Sequence, residues 1–230
     1  MNNLTQFENK KKLAEATADK FVTLANNGIE TNGKFTVALS GGSTPTAMYG
    51  VLASEVYKNK IDWGKVFVFW SDERCVPFDD TENNSHNARE QLLNKVAIPK
   101  ENIFIIPTEL SPADAAKSYA KTIRLFFNDP LPIFDLILLG MGDDGHTASL
   151  FPHTTILKER NAIVKEVYVE NKKSFRISFT EPLINNAKQI LFLVAGKEKE
   201  TVVDTILNGE YLPETYPAQF IKNADWYVAF

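Results

Sequence analysis

The stretch "FDLILLGMGDDGHTASLFP", Phe134 to Pro152, joins an apolar run to a loop carrying Gly140, Gly142 and Gly145 at G-x-G-x-x-G spacing. Two aspartates lie inside the loop, and His146 follows the third glycine. A nearly unbroken apolar run that empties into glycines reads as a parallel strand covered on both faces. Three further runs share the character: "FTVAL" (Phe35 to Leu39), "VFVFW" (Val66 to Trp70) and "ILFLVA" (Ile190 to Ala195). Helical spacing between the runs predicts helices over Pro45 to Tyr57, His86 to Val96 and Ala113 to Phe127. Strand and helix alternate, which predicts an α/β fold with a mostly parallel sheet and helices on both faces. Ala162 to Thr180, "AIVKEVYVENKKSFRISFT", departs from that rhythm and predicts two strands about a polar turn, a small antiparallel addition. No repeat, low-complexity tract or long linker divides the chain, so residues 1–230 are read as one domain.

With 230 residues and 44% hydrophobic content, the chain can bury a substantial core. A net charge of -4, from 25 basic and 29 acidic residues, gives no electrostatic footprint for nucleic acid, so any anion site must be local. The single cysteine, Cys75, excludes an internal disulfide framework and fits a reducing compartment. The N-terminal segment lacks the apolar core of a signal peptide, and no segment is apolar over the roughly 18 residues that a membrane span needs. The expectation is a soluble cytoplasmic chain with neither a nucleic-acid nor a membrane partner.

In open parallel sheets, ligands collect beyond the carboxyl ends of the strands. The first such loop, "SGGSTPT", offers Gly41 and Gly42 for a tight turn, Ser43 and Thr44 as hydroxyl donors and caps, and Pro45 for the first helical position. It reads either as a phosphate cradle or as an ordinary capped helix start, and it lacks the Gly-Lys-Ser/Thr ending of a Walker A loop. The second loop gathers Asp72, Glu73 and Arg74, which either position a polar ligand, with Arg74 neutralising an anion, or form a surface ion pair. Cys75 beside them is read as packing. The fourth run leads to Lys197 and Lys199 near a helix start, where the dipole disfavours cations. A bound anion would compensate them, or Glu198 and Glu200 would.

The opening loop is a poor dinucleotide clamp. It follows a late strand, and Asp143 and Asp144 would repel a pyrophosphate. Asp144 and His146 on one tight turn instead place a carboxylate beside an imidazole, so that one nitrogen is oriented and the other can take a proton. Amides from Gly140 to Gly145 are candidate donors to a developing oxyanion. There is no G-x-S-x-G elbow, and His86, His146 and His153 show no zinc spacing, so water is the simplest nucleophile.

The blocks "LSGGSTP", "FWSDERCVP", "FDLILLGMGDDGHTASLFP", "FRISFT", "LFLVAGKEKE" and "PAQFI" together resemble the successive motifs of 6-phosphogluconolactonases, in family order. The resemblance implies hydrolysis of 6-phosphoglucono-1,5-lactone in the oxidative pentose phosphate pathway, without a cofactor or a metal. It also implies a Rossmann-like α/β fold shared with glucosamine-6-phosphate deaminases and ribose-5-phosphate isomerases. The ligand is then a small sugar-phosphate lactone, and the chain a monomer or weak homo-oligomer. Carried over by motif, His146 matches the general base, Asp144 its paired carboxylate and Arg74 a catalytic arginine. Gly41, Gly42, Ser43, Thr44, Asp72, Arg176 and Lys199 match substrate and phosphate contacts. The chain departs from the family at "NNSHN" (Asn83 to Asn87), where His86 is a candidate cation, at "VENKKSF", and after "PAQ", where Lys222 is another. The rival readings are a deaminase or isomerase of the same fold and a non-catalytic sugar-phosphate sensor. The deaminase motif needs an acid five positions beyond the histidine, where this chain has Phe151.

Overall fold

The computed structural model describes residues 2–230. In chain order the elements are β1 (Asn3–Gln6), α1 (Lys10–Asn32), β2 (Phe35–Leu39), α2 (Ser43–Leu52), β3 (Val66–Trp70), β4 (Asp72–Arg74), α3 (Asn84–Ala88) and α4 (Pro112–Phe127). They continue with β5 (Leu136–Leu139), β6 (Val164–Val169), β7 (Ser174–Phe179), α5 (Glu181–Asn185), β8 (Ile190–Ala195), α6 (Glu200–Asn208) and β9 (Asp225–Ala229). The apolar runs form β2, β3, β5 and β8 of a six-stranded sheet in the order β1-β9-β8-β5-β2-β3, and every pairing in it is parallel. Among the described residues no helix is long and apolar enough to cross a membrane.

Both faces of the sheet are covered, which is why its central strands are buried at every position and, Thr36 apart, apolar. Phe35, Val37 and Leu39 lie in register with Val66, Val68 and Trp70. On that face Phe35 meets Phe21 of α1 edge-on at 5.4 Å. The alternate residues Phe67 and Phe69 meet Phe126 of α4 on the other face, at 5.0 and 5.3 Å. Further along, Phe192 stacks on Trp226 at 3.9 Å, a pairing worth about 1 kcal/mol beyond the area it buries.

Local chemistry fixes the helix ends. Asn9 caps α1 by accepting from the Lys12 amide, and Gly33 closes the helix in the left-handed region. Ser111 caps α4, with Pro112 in the first turn. α2 stops at Leu52, short of the predicted Tyr57, because the Ser54 amide and hydroxyl both donate to the Val51 carbonyl, at 3.1 and 2.7 Å. The segment with helical spacing over His86 to Val96 belongs to a helix that starts at Asn84 and changes at Arg89 into one π-helical turn through Leu93. The Asn94 amide reaches back to the Arg89 carbonyl there.

The predicted antiparallel pair is β6 and β7, and β4 joins it to make a three-stranded sheet in the order β4-β7-β6. β4 is the "DER" tripeptide, read from sequence as a loop. Three residues with three charges carry no strand periodicity, and only the register with β7 (Asp72 opposite Ser178, Arg74 opposite Arg176) makes them a strand.

Glu73 ties β4 to α3. Fully buried, it accepts with Oε1 from the amides of Arg74 and Asn84 and with Oε2 from that of Ser85, each at 2.8 Å. Burial pushes its carboxyl up to about 7 from an ordinary 4.5, against the opposing effect of those amides. The folded state therefore holds the proton more tightly than the unfolded chain. Its contribution to stability is complete below pH 4.5 and is lost as pH rises through about 7. Glu73→Ala, which strands the Asn84 and Ser85 amides, should cost about 1–3 kcal/mol in urea denaturation and flatten the decline in stability between those pH values.

Candidate active site

The strand order reverses between β2 and β5: β3 continues on one side of β2, while β5, β8 and β9 follow on the other. Loops leaving the carboxyl ends of β2 and β5 part at that point and leave a crevice.

On the β2 side, Gly42 takes φ 99° as the N-cap of α2, and no side chain caps the helix. The first-turn amides of α2 are thereby left to a ligand. Ser40 is pinned by the Tyr49 hydroxyl, which donates to its carbonyl at 2.6 Å. Gly42, Ser43, Thr44, Gly140, Met141 and Lys199 line a cavity of about 230 Å³. Lys199 donates to the Met141 carbonyl at 2.8 Å and pairs with the Asp143 carboxylate at 2.6 Å. Lys197 instead pairs with Glu200 on an exposed face. Of the two readings of these lysines, the solvated one fits Lys197 and the pocket-facing one fits Lys199.

On the β5 side the chain makes a closed turn. The Gly142 amide donates to the His146 carbonyl at 2.9 Å and the Gly145 amide to the Gly142 carbonyl at 3.1 Å. Those two amides are therefore spent inside the turn, a correction to the expectation that they face an oxyanion. Both glycines are required here. A side chain at Gly142 would overlap the His146 ring, and Gly145, at φ 74°, has Tyr216 packed against it.

Within the turn His146 Nδ1 lies 2.5 Å from Asp144 Oδ1, which also accepts from the His146 amide at 3.1 Å. Burial pushes the Asp144 carboxyl upward, but its hydrogen bonds with His146 and their charge interaction outweigh that and hold it below the usual carboxylate range. An ionised Asp144 accepts a hydrogen bond from Nδ1–H and so keeps the proton on that nitrogen, which leaves Nε2 as the one with a free lone pair. The ring stacks on Phe151 at 3.9 Å and 22°. Hydrogen bond and stack together fix both the tilt and the tautomer of the imidazole.

Asp72 is buried, and its Oδ2 accepts from the Ser149 hydroxyl at 2.7 Å, while the Ser149 amide donates to the Ser178 hydroxyl at 3.1 Å. One oxygen of this expected substrate contact is thus given to holding the segment after His146. Asn84 reaches the Asp72 carbonyl at 3.0 Å and packs against Gly41, which links the two loops from behind.

Arg74 and Arg176 face each other across the β4–β7 register. Arg74 is anchored by one nitrogen on the Glu82 carbonyl at 2.6 Å. Arg176 is 7% exposed, and its Nε and Nη1 are buried without a hydrogen-bond partner. Burial and the neighbouring Arg74 both lower its pKa, against the attraction of Asp72, Glu82 and Glu73. Two opposed guanidiniums, one of them with idle buried donors, are a demand for an anion. Cys75 is inert packing, its thiol pushed up to about 11 by burial despite Arg176. His86 stands edge-on to Phe78 at 5.6 Å, and the Lys222 amide is tied to Asn185 at 2.8 Å. Among the described residues no group of three or more histidine, cysteine or acidic side chains could hold a metal.

The fold thus brings Gly42, Ser43, Thr44 and Lys199 around one cavity, pairs His146 with Asp144, sets Arg74 opposite Arg176, and joins Asp72 to the histidine loop. Sequence reasoning missed Ser149, Ser178 and Asn84. Ser149 sits in the quoted "HTASLFP", but nothing in its spacing identifies Asp72 as its partner.

The sequence profile described as glucosamine-6-phosphate isomerases/6-phosphogluconolactonase matches residues 8–228. A 6-phosphogluconolactonase from Synechocystis sp. is 42% identical over 219 residues, covering 93% of this chain and 88% of that protein. One from Nostoc sp. is 40% identical over 215 residues, covering 91% of this chain and 87% of its own length. The crystal structure of a 6-phosphogluconolactonase from Thermotoga maritima superposes over the full length of both chains with a TM-score of 0.86 at 30% identity. A monomeric glucosamine-6-phosphate deaminase, at 16% identity and a TM-score of 0.84, shares the fold. The chain belongs to the glucosamine-6-phosphate isomerase/6-phosphogluconolactonase family.

Proposed function

We propose that this chain hydrolyses 6-phospho-D-glucono-1,5-lactone to 6-phospho-D-gluconate, the step of the oxidative pentose phosphate pathway that follows lactone formation. The observation that carries the reading is the clamped imidazole: Asp144 on Nδ1, Phe151 on the ring face and Nε2 left over. In the proposed mechanism His146 Nε2 takes a proton from water as the water oxygen bonds to the lactone carbonyl carbon. Asp144 stabilises the imidazolium that forms. The tetrahedral intermediate collapses by breaking the bond from that carbon to the ring oxygen, and the imidazolium returns its proton to the departing oxygen. The products are a free hydroxyl and a carboxylic acid, which ionises to the gluconate.

The phosphate is assigned to the cavity of Gly42, Ser43, Thr44 and Lys199, with Gly41 holding the approach of the loop. The Arg74 and Arg176 guanidiniums supply positive charge to the anionic substrate and to the oxyanion, the role that the spent amides of Gly142 and Gly145 cannot play. Phe151 speaks against the deaminase reading, since it cannot serve as the acid that opens a sugar ring. The intact Asp144–His146 pair speaks against a sensor that only binds.

With the purified chain, loss of the lactone should run well above its spontaneous rate. His146→Ala should lower kcat by ~10²–10⁴-fold while substrate still binds. Undiminished activity in that variant would refute the assignment of His146, and release of ammonia from glucosamine 6-phosphate with no effect on the lactone would favour the deaminase. Arg176→Met should lower kcat/KM by about tenfold or more, with kcat falling as well as KM rising, as expected for a lost charge-assisted contact that serves both the anionic substrate and the oxyanion.

A further inference from the structure

Lys199 does more than line the cavity. An ammonium has three N–H donors, and two are committed here, to the Met141 carbonyl and the Asp143 carboxylate. Both acceptors belong to the segment that runs directly into Asp144 and His146. The third donor is the one that remains for an anion in the cavity that Lys199 lines. The lysine side chain is only 17% exposed, whereas Asp143 is 80% exposed, so the carboxylate reaches inward from the surface to hold a nearly enclosed cation. Without it the long lysine stem would regain its rotamers and the ammonium its freedom to leave the loop.

We infer that Asp143 is a positioning residue: through Lys199 it couples occupancy of the phosphate cavity to the placement of the turn bearing Asp144 and His146. The inference rests on the lactonase reading. A phosphate that engages the third donor stiffens the ammonium between cavity and loop, and the loop in turn presents the imidazole. By linkage the coupling runs both ways, so a loop held in place also favours phosphate binding. The simpler alternative is that Asp143 competes with phosphate for Lys199. The two accounts differ in sign, since a competitor weakens substrate binding and its removal would lower KM.

The test uses the full-length chain and unphosphorylated glucono-1,5-lactone, with inorganic phosphate as the probe at constant ionic strength, corrected for non-enzymatic hydrolysis. Wild type should be stimulated by phosphate by ~5-fold or more. Asp143→Ala should lose most of that stimulation and show a lower kcat on the phosphorylated lactone, with the native fold retained by circular dichroism, since the Asp143 side chain is itself 80% exposed. Asp143→Glu, which keeps the carboxylate, should restore much of it. Equal stimulation in wild type and Asp143→Ala, or a lower KM with unchanged kcat, would overturn the coupling. Absence of phosphate stimulation in wild type, with the phosphorylated lactone still hydrolysed, would overturn it too and leave the lactonase reading intact. If neither lactone is consumed faster than in buffer, the lactonase reading fails and takes this inference with it.

Discussion

The parallel pairing of β2 with β5 constrains everything around it. Val37 lies beside Leu136 and Ala38 beside Ile137, and the connections from these two strands lead away in opposite directions. A parallel pair cannot be closed by a hairpin, so each strand must end in a loop that climbs into a covering element. Two such loops leaving neighbouring strands in opposite senses open a gap that side chains of the sheet do not fill. The α2 first turn, Gly140 and Met141 at the start of the loop that leads to His146, and Lys199 line the cavity there.

The small antiparallel sheet gives the gap its second wall. β4 follows β3 after the single residue Ser71, whose hydroxyl donates to the Leu39 carbonyl at 3.1 Å, so the main sheet and the small one are mechanically continuous. Asp72 then carries that continuity across to Ser149, and Glu73 carries it to α3. The three charged residues of β4 therefore act in three directions, Asp72 bracing the histidine loop, Glu73 capping a helix and Arg74 facing Arg176. A tripeptide that looks like a surface charge cluster is an internal joint.

What was readable in the sequence follows the same physics. Strands covered on both faces are nearly all apolar, with Thr36 the one polar residue in these three, so β2, β3 and β8 were legible to the residue, and the charged, glycine-rich ends of the runs pointed to the loops that matter. β1 left no such trace because all four of its residues are exposed, and β4 left none because its partner lies about a hundred residues away in the chain. The His146–Asp144 pair is local and could be read from spacing. The Ser149–Asp72 contact, the Asn84 bridge and the pairing of Lys199 with Asp143 are made by tertiary folding alone. The motif resemblance supplied roles for residues, but not which oxygen of Asp72 is already spoken for, nor that the Gly142 and Gly145 amides are consumed within their own turn.

The facing guanidiniums of Arg74 and Arg176 have a consequence for the life of the protein as well as for its chemistry. Like charges held opposite each other, with buried donors left idle, are a repulsion built into the folded chain. An anion seated between them relieves that repulsion, so the loaded protein resists unfolding better than the empty one. Occupancy of this pair and the melting temperature of the chain are therefore one linked quantity, so an anion held there would raise the melting temperature with its concentration.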